Sequence, residues 1–180
     1  MNITVFMSSL VGTDSAYVEK SMEFGEWMAK SGHTMVFGGS REGLMEKMAT
    51  SVLEHGGRVI GIQTKFLNHR YGAVPNLTRL ELPDRMADRI RRMIELGDMF
   101  VIFPGAIGTL EEAATVLSMN KLGIINKMIC FYNLNGFYTD LENFYNRINQ
   151  EGWGDERSEK TTRFVTTLDE IKAIANSCQK

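Results

Sequence analysis

The chain has little of what marks several functional classes. Its two cysteines, Cys130 and Cys178, are too few and too far from any histidine to suggest a disulfide framework or a zinc site. The three histidines, His33, His55 and His69, lack the spacing of a metal site or a catalytic triad, and each reads as a surface or loop residue. No run approaches the roughly 18 apolar residues of a membrane span. A net charge of −2 offers no positive excess for nucleic acid or an anionic membrane surface. Met1 to Leu10 is apolar but has no basic leading segment and no small-residue cleavage site, so it is not read as a signal peptide. No linker, repeat or low-complexity stretch divides the sequence. The expectation is one domain, residues 1–180, long enough for a sizeable core and suited to a reducing, cytoplasmic compartment.

What is present is an alternation of short apolar runs with helical patterns. Ile3 to Met7 reads as a buried strand followed by the small residues Ser8 and Ser9. Thr13 or Asp14 caps a helix to about Lys30, with Gly32 where a terminating glycine is expected. The strand Thr34 to Phe37 ends at Gly38-Gly39-Ser40. A helix from about Gly43 to His55 and a strand from Arg58 to Ile62 follow. Gln63 to Pro75 has no clear period and reads as an irregular surface segment. Leu77 to Leu82 is a further strand, and Pro83 opens a helix in the position proline tolerates best. Asp98 to Phe103 and Lys127 to Tyr132 are strands on either side of a helix from Leu110 to Leu122. Asn135-Gly136 turns into an aromatic-rich helix through Phe144 and Ile148. Phe164-Val165 is a last strand segment, and Leu168 to Ala175 a closing helix. Such βαβ order predicts a parallel sheet with right-handed crossovers, whose ligands bind beyond the carboxyl ends of the strands. Ser8-Ser9, Gly38-Gly39-Ser40 and Pro104 to Thr109 all lie at such ends and can share one crevice.

Two stretches carry chemistry. Pro104-Gly105-Ala106-Ile107-Gly108-Thr109-Leu110-Glu111-Glu112 leaves a strand and opens a helix. Free N–H groups and the positive end of the helix dipole make such a junction a natural anion site. Glu111 and Glu112 suit that dipole, yet they repel a bound phosphate unless they serve the chemistry beside it. The helix from Pro83 to about Leu96 has three faces. Met86, Ile90, Met93 and Ile94 are apolar, while Asp84, Asp88 and Glu95 are acidic. Arg85, Arg89 and Arg92 form the third, basic face. Arg85 and Arg92 read as solvated. Arg89, at mid-stripe, is the candidate for substrate, because a planar guanidinium donates two hydrogen bonds at once to a phosphate.

Met86-Ala87-Asp88-Arg89 with Met93, followed without a gap by Pro104 to Glu112, resembles the LOG (Lonely Guy) family of nucleotide phosphoribohydrolases. That family carries a methionine–arginine–lysine helix motif and a PGGxGTxEE loop. Gly38-Gly39-Ser40-Arg41-Glu42-Gly43-Leu44-Met45 is similar to its GGGxxGLMG segment, and the likeness runs from about Ile3 to Tyr145. The resemblance implies a Rossmann-like, three-layer α/β fold with a mostly parallel sheet flanked by helices, usually as a homodimer. It implies hydrolysis of the N-glycosidic bond of a purine nucleoside 5′-monophosphate, cytokinin-type or adenine, to free base and ribose 5-phosphate. The family's catalytic arginine and glutamate fall on Arg89 and Glu112, and its phosphate loop on Gly105, Ala106, Ile107, Gly108 and Thr109. The candidate nucleotide-binding set also takes in Ser8, Gly38, Gly39, Ser40, Glu111 and Ser118. No metal or cofactor is implied. The older label of lysine decarboxylase would require pyridoxal phosphate, for which no lysine here has a recognisable context. The residue types suit the hydrolysis, since positive charge builds on the ribose as the bond breaks and a fixed carboxylate stabilises it and can activate water. Whether Arg89 holds phosphate or ribose hydroxyls stays open.

Four positions depart from the family pattern. Ile90 stands where a lysine follows the arginine, Ala106 replaces the second glycine of PGG, Ser40 the third of GGG, and Glu46 the glycine of GLMG. Ile90 falls in the apolar arc, while its loss of a cation could weaken phosphate binding. If the loop needs positive φ at Ala106, the side chain adds roughly 1 kcal/mol of strain. These changes motivate an alternative, a nucleotide or phosphorylated-cofactor carrier of the same fold that does not hydrolyse its ligand. Trp153 covers either the site or a neighbouring subunit, or anchors an exposed loop.

Overall fold

Seven short strands, each followed by a helical segment, assemble into one sheet in this computed structural model, which describes residues 1–178. The first elements are β1 (Asn2–Phe6), α1 (Ser15–Lys30), β2 (Thr34–Phe37), α2 (Gly43–Glu54), β3 (Arg58–Ile62) and α3 (Lys65–Tyr71). Then come β4 (Arg79–Glu81), α4 (Met86–Leu96), β5 (Met99–Ile102), α5 (Ile107–Lys121) and β6 (Ile129–Tyr132). A single 3-10 turn at Leu134–Gly136 leads to α6 (Thr139–Gln150), α7 (Glu156–Thr161), β7 (Thr162–Val165) and α8 (Leu168–Ser177). The strand order is β4-β3-β2-β1-β5-β6-β7, and every pairing is parallel.

Side-chain alternation sorts the central strands between two apolar layers. Ile3 and Val5 of β1, with Met35 of β2 and Val101 of β5, pack under Phe24 and Met28 of α1 and Met48 of α2. Phe6, Val36, Phe100 and Ile102 face the opposite way, against Ile90 and Met93 of α4 and Val116 of α5. Because both faces are covered, the strands read as near-continuous apolar runs. The mostly parallel three-layer sheet expected from the sequence is parallel throughout.

Asp14, rather than Thr13, caps α1, its carboxylate accepting from the Ala16 N–H at 2.9 Å. Other expectations are corrected. The stretch from Gln63 to Pro75 is not irregular, since α3 occupies its middle, capped by the Thr64 hydroxyl, which accepts from the Leu67 N–H. None of α3's residues is buried, so it has no apolar stripe to announce it. The short α7 is likewise set by a cap, with Asp155 accepting from the N–H groups of Arg157 and Ser158. The arginine helix opens at Met86 rather than Pro83. Arg85 is extended (φ −117, ψ 150), and Asp84 is drawn aside to Lys65 at 2.8 Å. Arg92 is not simply solvated, because it grips both oxygens of Glu81 at 2.7 and 3.2 Å and ties α4 to β4. That bond holds the Glu81 carboxyl below the usual carboxylate range. His33, expected at the surface, is buried beside Trp27, and burial lowers its pKa. Trp153 is exposed, with its carbonyl accepting from Lys121 Nζ at 2.6 Å. Among the described residues no helix is long and apolar enough to cross a membrane.

Candidate functional site

Strand order reverses at β1, and there the loops after β1 and β5 part and leave a crevice, the usual ligand position in such sheets. Ser8 lines it. Its N–H donates to the Pro104 carbonyl at 3.2 Å, and its hydroxyl accepts from the Leu10 N–H at 2.9 Å. Two glycines let the neighbouring loops approach. A Cβ at Gly43, which has φ +54, would come within 2.2 Å of the Ser9 carbonyl carbon. A Cβ at Gly38 would come as close to Nη2 of Arg89.

Arg89 and Glu112 meet in this crevice, both buried. Arg89 Nε donates to the Ile62 carbonyl at 3.0 Å and Nη2 to the Gly38 carbonyl at 3.5 Å. Two strand ends therefore hold the guanidinium, whose Nη1 donates to Glu112 Oε1 at 2.8 Å. Burial pushes the Glu112 carboxyl above its ordinary range. Arg89 opposes that push, and the charge of Glu111 adds a little to it.

The loop before α5 sets the other wall. Ala106 occupies the N-cap with φ −93 and ψ −159, so the left-handed strain considered for it does not arise. An alanine has no oxygen to cap the helix, and among the described residues no side chain caps these donors. The first-turn N–H groups up to Thr109 are consequently available to a ligand oxygen; Leu110 already donates to Ala106 at 3.1 Å. Thr109 is buried and folds over Gly105, where a Cβ would come within 2.2 Å of its hydroxyl. Over Gly108 a Cβ would meet nothing within 4 Å. Behind the loop, the buried Tyr138 hydroxyl donates to the Phe103 carbonyl at 2.8 Å and braces the strand end.

Ser8, Gly38, Arg89, Gly108, Thr109 and Glu112 line a cavity of about 160 Å³. Beside it, Leu10, Val11, Tyr17, Leu44 and Phe137 line an apolar cavity of about 330 Å³ that shares Ser8 and Ala106 with the first. Of the other residues singled out in the sequence, Gly39 and Ser40 are buried behind the crevice. Gly105 lines the apolar cavity. Ile107 is 79% exposed, Glu111 is also exposed, and neither lines either of these two cavities. Ser118 lies further along α5, exposed and outside both cavities. Ile90 is packed in the core, and Glu46 faces outward with Arg41 at 3.3 Å. Met45, Tyr17 and Phe137 also line these cavities. Tyr17 and Phe137 belong to no motif that singles them out in the sequence, whereas Met45 closes the segment from Gly38 to Met45.

Among the described residues no group of three or more His, Cys, Asp or Glu is arranged for a metal ion. Among the described residues no lysine lines either cavity, so pyridoxal phosphate would find no amine there to hold it covalently; the lining does not fit that group.

A parallel sheet with a buried arginine–carboxylate pair beside an uncapped helix N-terminus, at the reversal of strand order, defines a Rossmann-like α/β protein with a crevice site. Residues 45–175 match the family model described as possible lysine decarboxylase, and the chain belongs to this family, the LOG family. It is 33% identical over 157 residues to the cytokinin riboside 5′-monophosphate phosphoribohydrolase of Rhodococcoides fascians, across 84% of this chain and 77% of that protein. To the LOG phosphoribohydrolase of Oryza sativa subsp. japonica it is 29% identical over 169 residues, 94% of this chain and 70% of the relative. At the level of the family these relatives support hydrolase chemistry. The solved Moco carrier protein of Chlamydomonas reinhardtii shares the fold, with a TM-score of 0.76 over 99% of this chain and 96% of that one, at 16% identity.

Proposed function

We propose that residues 1–180 act as one domain that hydrolyses the N-glycosidic bond of a purine nucleoside 5′-monophosphate, cytokinin-type or adenine, giving free base and ribose 5-phosphate. The observation that carries this reading is the buried contact of Arg89 with Glu112 beside the uncapped start of α5. In this reading the 5′-phosphate takes hydrogen bonds from the N–H groups of Gly108 and Thr109 and charge stabilisation from the helix dipole. The base lies toward Tyr17 and Phe137, and the ribose between them faces Glu112. The cavity beside Arg89 is too small for a nucleotide and the apolar one lies at the lower edge of the range of ligand sites, about 300–1,000 Å³, whereas jointly they fall well inside it.

The bond from the anomeric carbon to the base nitrogen breaks with its electron pair leaving on the base. Positive charge gathers on the ribose, where the Glu112 carboxylate stabilises it. Water adds to the anomeric carbon and gives a proton to Glu112, and that same proton passes on to the departing base, which restores the carboxylate. Arg89 keeps part of the carboxylate's charge in place and aims it. Names of relatives support the same chemistry, and a homodimer is part of the reading: Leu122, Ile124 and Phe144 are exposed apolar side chains suited to a second copy.

The test is incubation of purified protein with a panel of purine and pyrimidine nucleoside monophosphates, measuring ribose 5-phosphate. Release from purine nucleotides is expected, and no product from any of them rejects the reading. Ile90 favours the carrier alternative, since it buries an apolar side chain where the family pattern has a cation. Tight nucleotide binding without product would select that alternative.

A further inference from the structure

We propose that Gln63, acting with Ser40, is a positioning residue that fixes the two backbone carbonyls holding Arg89 against Glu112. Its kinetic readout rests on the hydrolase reading above, whereas its geometric readout does not.

Gln63 follows β3 directly and has no exposed surface. Its Nε2 donates to Ser40 Oγ at 3.0 Å and to the Gly72 carbonyl at 3.2 Å, while its backbone N–H donates to Glu81 at 3.0 Å. One side chain thereby ties the end of β3 to the turn after β2 and to the residues after α3. Ser40 forms an antiparallel bridge with Ala73, and the N–H groups of Val74 and Arg41 donate to Gly39 and Gly72, each at 3.2 Å. These segments make one hydrogen-bonded plate. Its fit is close, for a Cβ on Gly39 would stand 3.1 Å from that of Gln63. Both carbonyls that accept from Arg89 belong to it: Ile62 immediately precedes Gln63, and Gly38 lies in the same turn as Ser40.

Core filling alone does not account for a glutamine here. Its Oε1 is buried without a hydrogen-bond partner among the described residues, and an unmet buried acceptor costs stability that a methionine of similar volume would not. Its donor end, by contrast, is fully used, and on the turn that carries Gly38. The hydroxyl it grips, Ser40, stands where the family pattern has glycine.

Gln63→Met keeps the volume and removes the donor, and Ser40→Ala removes the hydroxyl acceptor. Glu112 is faced by Arg89 from α4 and by Glu111 on its own helix. If Arg89 slackens, burial and Glu111 act less opposed, so Glu112 takes up its proton at higher pH. The experiment is a carbon-13 NMR titration of the Glu112 carboxyl, assigned against Glu112→Gln, in the wild type and both folded variants. The midpoint is expected to rise by about half a pH unit or more. In parallel, kcat for ribose 5-phosphate release is expected to fall about tenfold or more with KM changed less than about threefold. A merely structural role lowers the melting temperature and leaves the titration where it was. An unmoved Glu112 titration in folded variants overturns the proposal, as does an unchanged kcat in a protein that turns over. A wild type that hydrolyses no nucleotide overturns the hydrolase reading alone, and the titration still decides this one. Should Gln63→Met fail to fold, Ser40→Ala is read by the same two outcomes.

Discussion

Arg89 Nη1 and Glu112 Oε1 stand 2.8 Å apart, with 9% and 11% of the two side chains exposed. A pair this deep cannot be halved cheaply, since removing one partner strands the other's charge away from water. Arg89→Met is expected to lower the unfolding free energy by about 3 kcal/mol or more at neutral pH. Adding Glu112→Leu removes the stranded charge and should recover most of that loss. Urea denaturation of the two variants makes the comparison, and a double variant no more stable than Arg89→Met would show that the stranded charge is not the cause.

The pH dependence follows from the same burial. An ordinary glutamate titrates near about 4.3. Burial pushes the Glu112 carboxyl above that range, with Arg89 only partly opposing it. In the proposed reaction the ionised form is the active one, so activity is lost as pH falls through this raised value. The acid limb of kcat should lie above the ordinary carboxylate range. Glu112→Gln should abolish the limb, cut turnover by roughly 10²–10⁴ and leave nucleotide affinity in place. A Gln variant with the parent's limb would take Glu112 out of the titrating step.

Gly108 has open space where a side chain would go. Nothing in the folded chain objects to an alanine, and as a helical residue it would stabilise by up to about 1 kcal/mol. In the proposed complex, however, the phosphate takes that space. Gly108→Ala should therefore melt no lower than the wild type while raising KM about tenfold or more, as calorimetry and steady-state kinetics would record. An unaltered KM would move the phosphate elsewhere.

Gly38 fails differently. Its added Cβ would collide with the Arg89 guanidinium at 2.2 Å, so Gly38→Ala must displace that side chain or its own strand end. Turnover should fall about a hundredfold or more, with a smaller change in ligand affinity. Wild-type turnover would mean that the seat of Arg89 is not needed.

The sequence displayed the sheet more plainly than the site's surroundings. Ile3, Val5 and Phe6, or Phe100, Val101 and Ile102, are apolar on both faces, which is the signature of a strand covered on both sides. Arg89 and Glu112 stood out through their motifs, and the fold brings them into contact. α3 gave no such sign, because it buries nothing and depends on the single hydroxyl of Thr64. Gln63 was hidden for a related reason: a lone polar residue after a strand looks like the start of a loop. Its burial arises from residues far along the chain, at Ser40 and Gly72. Ala106 shows the converse, since the backbone geometry that removes concern over it is not encoded in its identity.

β1 is the first strand of the chain, yet it lies in the sheet between β2 and β5. Arg89 is seated on carbonyls at the ends of β2 and β3, while Glu112 follows β5. The ion pair is consequently one seam between the strands on either side of β1. Parallel pairing of distant segments is slow to form, so closure of this seam should come late in refolding. Until it closes, Glu112 is hydrated and ordinarily acidic; on closing, its raised affinity draws a proton from solution. Refolding in a weakly buffered, mildly acidic solution should show a late uptake of protons, which Glu112→Gln removes and a stopped-flow pH indicator would time.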